Sequence, residues 1–345
     1  MAKPHDIFLD HLNELLQVQL IARLKDDESV GNTNEKYLHV FVPDLHLLSE
    51  AAQVNYSLKF DWSDEFTKVT TALMNTRDHL KRENHRMTVT QLGDFVDLWR
   101  ESLEGPKSAK DIIESFPNIR DRFLRKSEDS VSARLLLGNH DLEVRKSSIF
   151  ARARMSHYLP GTGWTLMATH GDIYDYMELF LPDVIQNIVL QILGRIPKPG
   201  TSSMQKLMDL QRKYPPNDNQ GDATFAEMGD AGPDLPSEFN VITVTDEQKR
   251  QKTHKCLPLA IKAAENLRTV EDPKGNLIAP QLKVMVLGHT HHARLVVDKI
   301  DDLILMDCGG WVGNHRVGQQ PKRPNHQLGA VCGSDLRIYQ VDDIA

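Results

Sequence analysis

From His5 to Lys25, Phe8, Leu12, Leu15, Leu16, Leu20 and Leu24 recur near helical spacing, which predicts one amphipathic helix packed on the main domain. After a polar loop from Asp26 to Lys36 the pattern changes to short apolar runs. Runs at Tyr37 to Val42, from Met87 to Gly93, up to Gly138, in WTLMATHGD before His170, and from Lys283 to Gly288 each predict a strand stopped abruptly by polar residues. Asp61 to Glu83 and Ala109 to Lys126 read as helices between them. Such strand–helix–strand alternation predicts an α/β fold whose chemistry sits at the carboxyl ends of its strands.

After His170 the rhythm breaks, and residues 173–282 are too long for a connection, so an inserted, mainly helical cap is expected there. Met177 to Ile196 is strongly apolar but carries Glu178, Asp183, Gln186, Asn187, Gln191 and Arg195, with Pro182 near its start. A membrane span needs about 20 nearly uncharged residues, so a cap helix over the site is the reading, with peripheral membrane contact the minority one. Thr201 to Lys213 suggests a second helix. Tyr214 to Phe239, rich in Pro, Gly, Asn and Asp and lacking Lys and Arg, suggests a solvated lid loop. Thr245 to Arg268 resumes helix, with Thr245 as N-cap and Asp246 and Glu247 in the first turn. Arg294 to Val297, Leu303 to Met306 and Leu336 to Val341 predict strands of a second sheet. Residues 1–345 are expected to form a single domain around that insertion.

Composition narrows the class. The 345 residues are 40% hydrophobic and 26% charged with net charge −7, a soluble globular balance that disfavours a general nucleic-acid-binding surface. Cys256, Cys308 and Cys332 are scattered, which argues against a disulfide framework or a zinc ribbon. MAKPHDIFLD lacks the basic-then-apolar layout of a signal peptide, so a cytoplasmic location is expected.

The strand ends carry the chemistry. HVFVPDLH presents Asp44 and His46, QLGDFVD presents Asp94 and Asp97, and LLLGNHD presents Asn139, His140 and Asp141. His170 and Asp172 follow in ATHGD, and His289 and His291 in LGHTHH. Carboxylate, amide and imidazole donors without cysteine suit Mn, Fe or Zn, and two such ions can clamp a phosphoryl group and lower the pKa of a bridging water. Asp94 can supply the bridging carboxylate. There is no GxSxG and no GxxxxGK[ST], so neither a serine hydrolase elbow nor a P-loop is indicated. His5, His11, His39, His79, His85, His157, His254, His315 and His326 lie outside these clusters and are expected to be surface or internally satisfied residues. His292 is evenly balanced between the two. Arg100, Arg145 and Arg294 follow site motifs and are candidate phosphate contacts, with surface roles the commoner expectation. Asp307 to Trp311 ends a late strand with two glycines, and packing is the expected job of Trp311.

The ordered blocks Asp44-Leu45-His46, Gly93-Asp94-Phe95-Val96-Asp97, Gly138-Asn139-His140-Asp141, His170 and Gly288-His289-Thr290-His291 resemble the calcineurin-like metallophosphoesterase superfamily. The resemblance spans Asp44 to His291. It implies a four-layer αββα sandwich in which Asp44, His46 and His291 hold one divalent ion. Asp94 bridges to a second, completed by Asn139, His170 and His289. It also implies that His140 is the catalytic acid or electrophile with Asp141 orienting it, and that Asp97 and Asp172 orient ligands. The expected reaction is hydrolysis of a phosphodiester or pyrophosphate by a metal-bridging hydroxide. GDFVDLW and GNHD depart from the GDxxDRG and GNHE usual in protein Ser/Thr phosphatases. The blocks are similar to the UDP-2,3-diacylglucosamine hydrolase branch, which typically has arginine where His140 stands. The partner implied is a small phosphorylated substrate, lipid-linked or nucleotide-linked. A phosphomonoesterase, a protein phosphatase, or a cyclic-nucleotide or nucleic-acid phosphodiesterase on the same fold are the alternatives, and a non-catalytic scaffold is disfavoured by the complete donor set.

Overall fold

The computed structural model of the chain describes residues 3–12, 15–23, 36–56, 63–98, 108–138, 140–141, 155–158, 163–174, 240–247, 250, 253–254, 256–271, 275, 277, 279–290, 293–311 and 326–341. They form two mixed six-stranded sheets. The first contains β1 (Leu16–Arg23), β2 (Tyr37–Val42), β3 (Arg86–Gln91), β4 (Arg134–Leu135), β11 (Gln327–Cys332) and β12 (Asp335–Val341), in the order β1-β12-β11-β2-β3-β4. The second contains β5 (Met155–Tyr158), β6 (Thr165–Thr169), β7 (Asn240–Val244), β8 (Leu282–Leu287), β9 (Arg294–Asp298) and β10 (Leu303–Asp307), in the order β5-β6-β8-β10-β9-β7. β2, β3 and β4 run parallel in the first sheet, and β6, β8 and β10 in the second. Parallel strands end together, so each triplet delivers its loops to one edge.

The sheets face each other. Phe41, Val331 and Ile338 of the first pack against Leu166, Val286 and Met306 of the second. Outside the first sheet lie α1 (Pro4–Leu12) and α3 (Ser63–Arg82), whose Phe8, Leu12, Phe66, Val69 and Leu73 join Leu38, Val40 and Val42 of β2 in one core. The short α2 (Glu50–Tyr56) lies between these two helices in sequence, and α4 (Ala109–Glu114) follows them. Outside the second sheet, α5 (Leu257–Thr269) buries Leu257, Ala260, Ile261 and Ala264 against Met285, Leu287 and Leu305. The layers are therefore helix, sheet, sheet, helix. Being covered on both faces explains why β2 and β8 read as continuous apolar runs.

Several expectations change. The helix predicted from His5 to Lys25 ends at Leu12, and Leu16–Arg23 becomes β1, antiparallel to β12. The expected helix from Ala109 to Lys126 is two pieces. Ser108 caps α4 with a reciprocal bond to Asp111, and a π-helical turn follows at Ile119–Leu124. Pro117, which lacks an N–H and restrains the residue before it, falls between the two. Of the predicted late strands, β9 and β10 join the second sheet but β12 pairs in the first, beside β11, which the apolar pattern did not single out. Within residues 173–282, β7 is the edge of the second sheet and α5 its outer layer. Met177–Ile196, Thr201–Lys213 and Tyr214–Phe239 lie outside the described residues. Among the described residues no helix is long and apolar enough to cross a membrane.

Candidate metal centre

Loops at the carboxyl ends of β2, β3, β4, β6 and β8 converge between the sheets. The β2 and β3 loops are laced together. Leu45 and His46 donate N–H bonds to the Asp94 carbonyl at 3.2 and 2.8 Å, Leu47 to Phe95 at 3.0 Å, and Asp97 back to Leu47 at 3.0 Å. His46, Asp94 and His289 have positive φ angles of 46°, 48° and 68°. For residues with a Cβ this costs about 1–2 kcal/mol each, and three such residues on three strand ends mark a local geometry imposed by what the side chains must reach. Gly93, at φ 115°, lies so close to Gly138 that a Cβ would come within 2.7 Å of the Gly138 nitrogen. A Cβ on Gly138 would in turn overlap the Asp94 carboxylate. These two glycines let the Asp94 and His140 loops touch.

Asp94 is the hub. Its Oδ2 lies 3.2 Å from His170 Nε2, 3.7 Å from His46 Nε2 and 4.0 Å from His140 Nε2, while its Oδ1 accepts the His140 backbone N–H at 2.9 Å. Asp44 stands opposite. Its Oδ1 is 3.4 Å from His170 Nδ1, and its Oδ2 accepts the His289 backbone N–H at 3.0 Å and lies 4.0 Å from His46 Nε2. His289 Nδ1 and His170 Nε2 are 3.3 Å apart. The first sheet thus supplies Asp44, His46, Asp94, Asp97 and His140, and the second His170 and His289. All are buried. One ligand atom each from Asp44, His46 and Asp94 fall within 4.8 Å of one another, as do atoms of His46, Asp97 and His140. A buried set of carboxylates and imidazoles at this spacing can hold a metal ion, and clustered buried carboxylates call for a compensating cation.

Electrostatics agree with such crowding. Burial works against an ionised Asp94, yet His170, His140 and His46 around it hold its carboxyl well below the usual carboxylate range. Burial also opposes a charge on His170, and Asp94 and Asp44 on either side outweigh it, raising that imidazole well above its ordinary value. His46 goes the other way: burial lowers it, against the pull of Asp97. Burial and the Asp94 charge push Asp141 up to about 8, opposed by backbone donors from Phe95 and Gly138.

Five sequence-predicted site residues, Asp44, His46, Asp94, His170 and His289, meet in this cluster, and His140 faces it. Asn139 and His291 lie outside the described residues, as do Arg100, Arg145 and His292. The expected pairing of His140 with Asp141 is corrected. His140 Nδ1 bonds to Asp97 Oδ1 at 2.8 Å, whereas the Asp141 oxygens accept the Gly138 N–H at 2.7 Å and the Phe95 N–H at 3.0 Å. Asp97 also sits 3.3 Å from His46 Nδ1, so its reach to a candidate ligand is direct. Arg294 is buried with its guanidinium on the Thr253 carbonyl at 3.5 Å, an internal contact instead of an open phosphate clamp. Trp311 is buried on Phe66, ring centres 5.0 Å apart, as expected of a packing residue. Its backbone N–H also donates to the Asp44 carbonyl at 2.9 Å. No protein-family model and no curated protein matches the chain.

Proposed function

We propose that the chain is a metal-dependent hydrolase of phosphoric esters, with diesters or diphosphates as substrates. The observation that carries this is Asp94, one buried carboxylate oxygen ringed by His170, His46 and His140 at 3.2 to 4.0 Å from loops of both sheets. Asp44, His46, Asp94, His170 and His289 would hold divalent ions, joined on sequence grounds by Asn139 and His291. The ordered strand-end blocks, similar to those of calcineurin-like metallophosphoesterases, support a pair of ions, Mn, Fe or Zn. When bound, the ions would supply charge stabilisation for the phosphoryl oxygens and an acidified water as nucleophile. Asp97 holds the Nδ1 proton of His140, which turns Nε2 toward Asp94. In the protonated form Nε2–H donates to the departing ester oxygen, and Asp97 stabilises the imidazolium.

The test is hydrolysis of bis-p-nitrophenyl phosphate and p-nitrophenyl phosphate by metal-stripped protein, with Mn, Zn, Mg or no metal added. Metal-dependent diester cleavage is expected. Asp94→Ala should abolish both metal uptake and activity. His140→Ala should keep the metal and lose about 10²–10⁴-fold in kcat. Cleavage of the monoester alone would move the reading to a phosphomonoesterase, and activity unchanged in both variants would overturn it.

A further inference from the structure

Asp307, the last residue of β10, is fully buried, and its carboxylate accepts from three directions. The Gly309 N–H reaches Oδ1 at 3.1 Å, His254 Nε2–H reaches Oδ2 at 2.9 Å, and the Thr290 hydroxyl closes on Oδ2 as well. His254 has a fixed tautomer. The Cys256 N–H donates to its Nδ1 at 3.2 Å, so Nδ1 accepts and Nε2 carries the proton given to Asp307. His254 and Thr290 are only 2% and 3% exposed, so these bonds form out of water's reach. Arg294, directly across from Asp307 in the β9–β10 pair, adds a second tie by reaching the Thr253 carbonyl. Thr253 and His254, ahead of α5, are thereby tied to Thr290 within the loop that carries His289 and to Arg294 just beyond it.

The two loops that Asp307 grips both close on Asp44. On one side, next to Thr290, the His289 N–H donates to Asp44 Oδ2 at 3.0 Å. On the other, past Gly309, Gly310 pairs with Asp44 in a parallel bridge and the Trp311 N–H donates to the Asp44 carbonyl at 2.9 Å. The second loop is itself backed by Gln327, whose Oε1 accepts the Gly310 N–H at 3.2 Å and whose carbonyl accepts the Trp311 indole N–H at 2.8 Å. A carboxylate buried among three donors loses much hydration, and such networks specify one arrangement only when every member is satisfied. Here the arrangement specified is the placement of Asp44 and His289, from behind and outside the ligand cluster.

We propose that Asp307 is a positioning residue of the metal centre, with His254 and Thr290 as its two arms, setting the loops that hold Asp44 and His289 in register. This rests on the metal-centre reading above. All three residues are buried. Their influence runs through the backbone of residues 288–290 and 309–311.

The test uses the full chain, stripped of metal, titrated calorimetrically with Mn²⁺ and separately loaded with Co²⁺ for its visible absorption spectrum. Thr290→Val, a near-isosteric loss of the hydroxyl, and His254→Ala should each weaken Mn²⁺ binding about 10–100-fold and change the Co²⁺ bands. Thr290→Ser and His254→Gln should restore both, because a hydroxyl and an N–H again reach Asp307. Thermal unfolding of the metal-free proteins is followed in parallel. Variants that melt lower yet bind Mn²⁺ and colour with Co²⁺ as the parent does would reduce the network to a structural one and overturn the proposal. If His254→Ala does not fold, the Thr290 pair alone decides. A parent chain that takes up neither ion would overturn the metal-centre reading and this inference with it, an outcome plainly different from variants that match a metal-binding parent.

Discussion

Asp97 serves two imidazoles at once, Oδ1 on His140 Nδ1 at 2.8 Å and Oδ2 3.3 Å from His46 Nδ1. An asparagine there keeps one acceptor oxygen and turns the other into a donor, so only one imidazole can be served. Asp97→Asn is therefore expected to lower kcat about 10–10³-fold and to weaken Mn²⁺ binding about tenfold, read by steady-state kinetics and calorimetric titration. Asp141→Asn should behave differently. Both Asp141 oxygens accept backbone N–H groups, so the amide would set a donor against a donor and cost about 1–3 kcal/mol of stability by urea unfolding. On the hydrolase activity proposed above, its effect on the kcat of the folded protein should be the smaller of the two. Equal kinetic losses in the two variants would sink the distinction. The donors themselves were legible in the sequence, because each follows an apolar run and a stop. Their pairing was not. After Gly138 the chain turns back, and Asp141 captures the N–H three residues behind it, a local bond that removes it from His140 and leaves that ring to a residue of another loop.

At the scale of elements, α1 and β1 show how one apolar pattern can serve two periods. Leu12, Leu16, Leu20 and Leu24 fit a helix, yet Leu16, Val18 and Leu20 also alternate with Gln17 and Gln19 as a strand does. The register with β12, running from Leu16 opposite Val341 to Arg23 opposite Asp335, decides for the strand, and no local signal announces that partner. β11 was missed for a related reason. Gly329 gives it poor strand propensity, but a Cβ there would strike Cys308, so the close approach of the two sheets requires it. By contrast α3 was legible throughout, since twenty residues of regular amphipathic spacing leave little ambiguity. α1 has its own consequence. Phe8 is fully buried, edge-on to Tyr339 with centroids 5.4 Å apart, and joins α1 to the core of the first sheet. Phe8→Ala should destabilise the protein by about 3–5 kcal/mol in urea unfolding. Mn²⁺ affinity under native conditions should stay unchanged, since α1 contributes none of the donors. A loss of affinity matching the loss of stability would mean that α1 shapes the centre as well.

For the whole molecule, what matters is that donors come from both sheets, so the centre exists only while the sheets stay face to face. His39 lies in that seam. It projects from β2, bonds through Nδ1 to Thr88 of β3 at 2.8 Å, and packs on Tyr158 of the second sheet with ring centres 4.9 Å apart. Burial lowers His39 to about 4, and its Nε2 has no hydrogen-bond partner among the described residues. His5, on the buried face of α1, is lowered to about 4 as well, by burial, with its tautomer set by the Asp335 carbonyl and the Tyr339 hydroxyl. Each folded-state value lies below the ordinary 6.5, so the unfolded chain binds more protons between pH 6.5 and about 4. Their contributions are complete above pH 6.5 and shrink as pH falls through that window, by at most about 3 kcal/mol for each ring. His39→Phe keeps a ring against Tyr158 and removes the titration. The difference in unfolding free energy between parent and variant, measured by urea from pH 7 to pH 4 with chelator present, should therefore move in favour of the variant as pH falls. Parallel curves would show that His39 is solvated when the sheets are closed. A difference that shifts toward the variant as pH falls would place an acid weakness of this fold at the same seam that assembles the candidate metal centre, where packing against Tyr158 demands a neutral ring.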